Sequence, residues 1–318
     1  MSVRTVFMFS GQGSQYFQMA RGLFREHAEF RDSMLAMDRI ATQLLGRSVI
    51  AALYDDVRAK SDEFAQLTLT HPALFMVQRA LAKIVMNAGV APDCVLGVSL
   101  GSYVAAVIAG VLTEEDALAA VIRQAQWVEA CCEPGGMLAV LAPPALYEEH
   151  AALHRHTEIA GVNFATHFVL SGRHAHVNEA EKFLNGVGVM SQRLAVRYAF
   201  HSRSMDGVGR ASDGLGRKIE PRAPAIPIVS CARVEFVEAP DEVFFWEAVR
   251  MPMRFQHTIE RLARSEYRRY VDLGPSGTLA TFVSHLLPPR DALATAILSP
   301  YAKDEPSLRR FLATSVSA

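Results

Sequence analysis

Five residues, Gly97-Val98-Ser99-Leu100-Gly101, constrain this chain more tightly than any other stretch. They join a short apolar run, Cys94–Gly97, to an Ala- and Val-rich segment, Tyr103–Val111, whose length and composition suit a buried helix. A strand that turns sharply into a helix through G-x-S-x-G holds the serine hydroxyl clear of the backbone. The glycines permit the tight approach, and the helix N-terminus stabilises developing negative charge. The plain alternative is a serine kept in a tight turn only for its small size.

The rest of the chain reads as an α/β protein around that turn. Val3–Phe9 is a strand candidate, Met19–Leu45 an amphipathic helix and His71–Ala88 a further helix. Thr113 with Glu114, Glu115 and Asp116 supplies an N-cap and an acidic first turn for a helix to about Cys131. From Gly135 the rhythm changes: strand Met137–Leu141, helix Pro144–Arg155, strands within Glu158–Ser171, helix Val177–Asn185, strand Ser191–Val196. This βαββαβ order predicts a ferredoxin-like small subdomain, 131–198. It interrupts a larger α/β-hydrolase-like catalytic domain with a parallel-sheet core, 1–130 and 199–318, in which Ile226–Ser230 and Tyr270–Leu273 are later strand candidates.

Composition narrows the function classes. A chain of 318 residues, 50% hydrophobic and 20% charged, buries a sizeable core and is no disordered tail. With 32 Lys and Arg against 33 Asp and Glu, it has no global attraction for nucleic acid or anionic lipid, so neither is an expected partner. No apolar stretch approaches the roughly 20 residues of a membrane span, and the N-terminal apolar run passes directly into Gly-rich turn chemistry, unlike a signal peptide. The four cysteines form neither a disulfide framework nor a spaced zinc pattern, so no metal is expected; Cys131 and Cys132 read as buried helix-end thiols. A cytoplasmic protein is the expectation.

A serine nucleophile needs a base and an oxyanion hole. Of eleven histidines, His27, His150, His154, His156 and His174 lie in polar contexts that suit solvated surfaces. His201 differs: it follows the apolar Leu194–Val196 segment where the chain should rejoin the large domain. Gly11-Gln12-Gly13-Ser14-Gln15, after the first strand, lets backbone N–H groups approach a ligand. Neither G-x-x-x-x-G-K-[ST] nor G-x-G-x-x-G is present there, which argues against a nucleotide.

With these motifs in this order, nearly the whole chain resembles the malonyl-CoA:acyl-carrier-protein transacylases and polyketide synthase acyltransferases. Phe9-Ser-Gly-Gln-Gly-Ser-Gln15 is similar to the family's oxyanion loop, Gly97–Gly101 to its nucleophile elbow and Ala199-Phe-His-Ser202 to its histidine motif. Asn163 resembles the polar residue before a V-x-S-G strand; Met251-Pro-Met-Arg-Phe255 and Asp272-Leu-Gly-Pro275 resemble the C-terminal segments. The resemblance implies a Ser99/His201 dyad, acyl-serine chemistry and an oxyanion hole from the N–H groups of Gln12 and Leu100. It also implies a main-chain carbonyl that orients the imidazole, which maps to about Arg254.

Three departures direct the functional expectation. Val98 and Ser102 replace the His and Glu usual in the elbow. In addition, the arginine that pairs with a malonyl carboxylate falls on Gln124. Helical phase places Gln124 inward with Ala117, Val121 and Val128, and Arg123 on the polar side. Loss of the cation disfavours a buried carboxylate and leaves neutral acyl chains unaffected. The chain therefore looks most like the trans-acting, proofreading acyl hydrolases of trans-acyltransferase polyketide synthases, which clear stalled acyl groups from acyl carrier proteins.

That resemblance implies an acyl-thioester substrate lined by Gln124, Val98, Asn163 and Phe200. It implies no cofactor of the chain's own, since the 4'-phosphopantetheine arrives on the acyl carrier protein. Arg193, Arg197, Arg203 and Arg210 are expected to form a basic docking patch for that acidic partner. An acyltransferase that passes malonyl or a non-carboxylated acyl group between CoA and a carrier is the second reading. A catalytically silent docking module is the third.

Overall fold

The computed structural model describes residues 3–208 and 221–315. Strand β1 (Arg4–Phe9) is buried on both faces from Thr5 onward, which is why Val6–Phe9 is continuously apolar. Side chains alternate across it: Phe7 and Phe9 enter the core on one face, Val6 and Met8 the core on the other. Around β1 stand β2 (Cys94–Gly97), β7 (Ile228–Ser230), β8 (Glu235–Val237), β9 (Tyr267–Asp272) and β10 (Leu293–Ala296), in the order β10-β9-β1-β2-β7-β8. The first five pair in parallel and β8 closes the edge antiparallel to β7.

On the Phe7 face pack α1 (Ala28–Leu45), α2 (Leu67–Asn87), α3 (Gly101–Ile108) and α4 (Glu114–Cys131). Thr113 caps α4, its hydroxyl accepting from the Asp116 N–H, as its sequence predicts. After α4 the chain builds a second, wholly antiparallel sheet from β3 (Gly135–Val140), β4 (Glu158–Phe164), β5 (His167–Arg173) and β6 (Ser191–Arg193). Its order, β4-β5-β3-β6, is that of a ferredoxin-like unit, with α5 (His174–Gly186) packed on β3 and β5. Entry and exit lie side by side: Gly135 N–H donates to Arg197 O at 2.9 Å. The α/β architecture with a parallel core and a ferredoxin-like insertion is the one the sequence predicts.

Details differ. The helix expected over Met19–Leu45 breaks at His27, which is extended and accepts the Phe30 N–H on its own ring, so Arg21–Glu26 and Ala28–Leu45 are separate helices. The strand expected over Ser191–Val196 pairs only at Ser191–Arg193. Beyond β7 come α6 (Glu242–Arg250), α7 (Phe255–Arg264), α8 (Thr278–Leu286) and α9 (Asp304–Ser315). Among the described residues no helix is long and apolar enough to cross a membrane.

Candidate active site

The elbow is formed by close backbone packing. A Cβ on Gly97 would lie 2.3 Å from the Ser102 backbone, and one on Gly101 2.1 Å from Phe9 O, so only glycine fits at either end. Val98 N–H donates to Phe9 O at 2.9 Å, tying the turn to β1. Between these anchors Ser99 is forced to φ 54°, a strained left-handed conformation for a residue with a Cβ. Gly101 N–H to Val98 O and Ser102 N–H to Ser99 O then start α3, leaving the serine Oγ at the C-terminal edge of the parallel sheet.

His201, likewise at positive φ (60°), faces it from the other side. Its N–H donates to Val249 O at 3.0 Å, fixing the turn against the end of α6. Nε2 lies 3.0 Å from Ser99 Oγ, and Nδ1 lies 2.8 Å from Met251 O. A carbonyl only accepts, so Nδ1 carries the proton and Nε2 presents its lone pair to the serine hydroxyl. Burial drops the imidazole pKa to about 4, against the opposing pull of the Met251 carbonyl, and the charge of Arg250 lowers it further. The ring is therefore neutral at physiological pH and ready to accept a proton.

The orienting carbonyl belongs to Met251, which corrects the expectation of Arg254. Arg254 stands at the N-cap of α7, and its carbonyl accepts from both the N–H and the hydroxyl of Thr258. The extended segment before it is held by β4: Met253 N–H donates to Ala160 O (2.8 Å) and Val162 N–H to Met253 O (3.0 Å). The small subdomain thus fixes the strap that orients the large domain's histidine.

The Gly11–Gln12 loop lies directly on the elbow. A Cβ at Gly11 would come within 2.8 Å of Ser99 Cβ and 3.5 Å of Leu100 N. Around the loop, Ser10 N–H donates to Gln78 Oε1, and Gly13 N–H to Gln15 Oε1. Among the described residues neither the Gln12 nor the Leu100 N–H donates to a protein acceptor. The Gln12 side chain is tied to Thr70 Oγ1 at 3.0 Å, and Gln15 Nε2 to the carbonyls of Phe64 and Ala195. Gln78 carries no motif of its own, so the sequence did not mark it; Gln15 and Met251 lie inside quoted motifs, but nothing local assigns them these roles.

Gln124 is buried as its helical phase predicts, and Arg123 is half-buried. Gln124 Nε2 donates to the Tyr103 hydroxyl at 3.1 Å, and the Tyr103 ring stacks on Phe245 at 4.8 Å. Tyr103 lies in the first turn of α3, four residues after the nucleophile. Phe200 is buried between Val128, Met205 and Val249, and Val98 packs on the opposite core. The Asn163 amide is instead engaged by His167 Nδ1 at 3.0 Å, within an aromatic cluster of Phe164, Phe282 and His285.

The basic patch is not uncompensated. Arg193 pairs with Glu181 at 2.6 Å, Arg197 with Glu63 at 3.2 Å and Arg203 with Glu158 at 3.2 Å, while Arg210 lies outside the described residues. Among the described residues no group of three or more His, Cys, Asp or Glu is placed to hold a metal ion.

Residues 6–317 match the acyl transferase domain family model. The chain is 40% identical over 300 residues to the polyketide biosynthesis acyltransferase homolog PksD of Bacillus subtilis, covering 94% of this chain and 93% of that one. It is 40% identical over 306 residues to the homolog BaeD of Bacillus velezensis, covering 96% and 94%. Among solved structures, the acyltransferase domain from the second module of the salinomycin polyketide synthase superposes with a TM-score of 0.86 at 32% identity, over 98% of this chain and 72% of that one.

Proposed function

The chain belongs to the acyl transferase domain family, and on that premise we propose that it is a trans-acting acyl hydrolase. It removes non-carboxylated acyl groups from the acyl carrier proteins of a polyketide synthase, in the cytoplasm. The observation that carries the reading is Gln124, a buried neutral amide bonded to Tyr103 where the resemblance expects a carboxylate-binding arginine. Two relatives that are polyketide biosynthesis acyltransferase homologs support the choice of carrier.

Ser99 Oγ attacks the thioester carbonyl as its proton passes to His201 Nε2, 3.0 Å away. The oxyanion forms beside the N–H groups of Leu100 and Gln12. The C–S bond breaks, His201 returns the proton to the departing pantetheine sulfur, and acyl-Ser99 remains. Water then gives a proton to His201 and adds to the carbonyl; the Ser99 Oγ–carbon bond breaks, His201 returns the proton to Oγ, and the free acid leaves. Met251 O steadies the imidazolium that forms at each stage.

An acyltransferase that passes the acyl group to a second thiol is the alternative; the names of its relatives favour it, as does the half-buried Arg123, whose charge reaches the Tyr103 hydroxyl. Release of free acid against transfer to a second thiol separates the two, and Gln124→Arg tests the selector. On the hydrolase reading it shifts the preference from acetyl toward malonyl thioesters by roughly 10- to 100-fold, the worth of one charge-assisted bond. An unchanged acetyl-to-malonyl ratio would remove Gln124 as selector.

A further inference from the structure

His71 is a buried imidazole that the dyad chemistry leaves unused. It is 1% exposed, and among the described residues neither of its ring nitrogens has a hydrogen-bond partner. Buried polar groups are rarely left so, because each costs the full loss of its hydration. Burial lowers its pKa to about 3, so the ring is neutral and offers one N–H and one lone pair.

Its position is specific. The preceding residue, Thr70, holds the Gln12 side chain of the oxyanion loop. Gln78, two helical turns further along the same stripe of α2, holds the backbone of Ser10 at the start of that loop. On the other side the His71 ring lies 5.8 Å from the ring of Phe200, the neighbour of His201. The imidazole therefore lies on α2 between the two residues that hold the oxyanion loop, and packs near the residue next to the base.

We propose that His71 is a water-positioning residue for deacylation, holding through its unpaired acceptor nitrogen the water that attacks acyl-Ser99. The inference rests on the hydrolase reading and deepens it, since it names what commits the acyl-enzyme to water. That water donates one O–H to the His71 lone pair and the other to His201 Nε2. Its oxygen bonds to the acyl carbon as the second proton moves to His201; the Ser99 Oγ–carbon bond then breaks, Oγ takes the proton back, and the acid leaves. His71 is a hydrogen-bond acceptor throughout and does not itself titrate.

The test is stopped-flow and intact-protein mass spectrometry of wild type, His71→Phe and His71→Leu with acetyl-loaded carrier protein. Both variants remove an unpaired polar group and are expected to melt no lower than wild type, so either one suffices if the other fails to fold. The expected result is an unchanged rate of acylation, at least a tenfold slower deacylation and accumulation of acetyl-Ser99. With excess pantetheine as competing acceptor, the ratio of transfer to hydrolysis rises by a similar factor. Equal losses in both steps, or deacylation at the wild-type rate, would overturn the role of His71 alone. If wild type itself releases no free acetate, the hydrolase reading fails, and the inference with it.

Discussion

Ser99 and His201 each hold a positive φ, at a cost on the order of 1–2 kcal/mol apiece, and each is held there by main-chain bonds to neighbouring elements. Burial of His201 sets the pH behaviour. The base must be neutral, and its pKa is pushed from 6.5 to about 4. The acidic limb of kcat/KM should therefore fall near pH 4, with activity flat from there to neutrality; a limb near 6.5 would show a solvated imidazole. The sign also fixes its part in stability: the folded pKa lies below the unfolded one, so the contribution is full above 6.5 and is lost as pH falls through about 4. Both residues were legible in the sequence, Ser99 from its glycine frame and His201 from its place after an apolar strand. His71 was not, because the sequence marks it only as the start of a helix, and its missing partners are visible only once α2 is packed.

Elements assemble the site from distant parts of the chain, and the strap 251–254 is the clearest case. Its orienting group is a carbonyl, so the Met251 side chain, which is 44% exposed, is dispensable. Met251→Ala should keep kcat/KM within about threefold of wild type. Met253→Pro should reduce it by more than about 100-fold, since it removes the N–H that donates to Ala160 and shifts the carbonyl two residues before it. Steady-state kinetics beside a melting curve checks both; comparable losses would mean that side-chain packing positions the imidazole. The register of this strap could not be read from sequence. The resemblance led to about Arg254, but the pairing of Met253 with β4 and the capping of α7 by Arg254 are tertiary choices with no local signature. The elbow is the opposite case, since strand, turn and helix are contiguous and each carries its own pattern. β8 and β10, short edge strands of three and four residues, lack the length for a period to register.

At the scale of the molecule, two units pack together, and the small one holds the Met251 strap that orients the base. Arg193, Arg197 and Arg203 are each paired with a carboxylate, so an acidic carrier must compete for them. Arg203 is the most exposed, at 78%, and exposed ion pairs are weak. Arg203→Glu should raise KM for the carrier protein by roughly 3- to 10-fold and leave turnover of a small N-acetylcysteamine thioester unchanged. Equal losses on both substrates would place its effect in the fold. The parallel core and the inserted antiparallel sheet were readable because the hydrophobic rhythm changes at Gly135. How the two units pack was not readable, because it depends on contacts such as Val162 with Met253 that are 91 residues apart. The central claim is that a buried amide at Gln124 admits uncharged acyl groups and that water takes them. The most direct test is intact-protein mass spectrometry of carrier protein loaded separately with acetyl and malonyl, treated with catalytic enzyme or Ser99→Ala, beside holo-carrier given malonyl-CoA. Loss of acetyl as free acid, with malonyl-carrier intact, no malonyl loading and no reaction by Ser99→Ala, is the predicted result. Efficient malonyl loading to a stable product would contradict it.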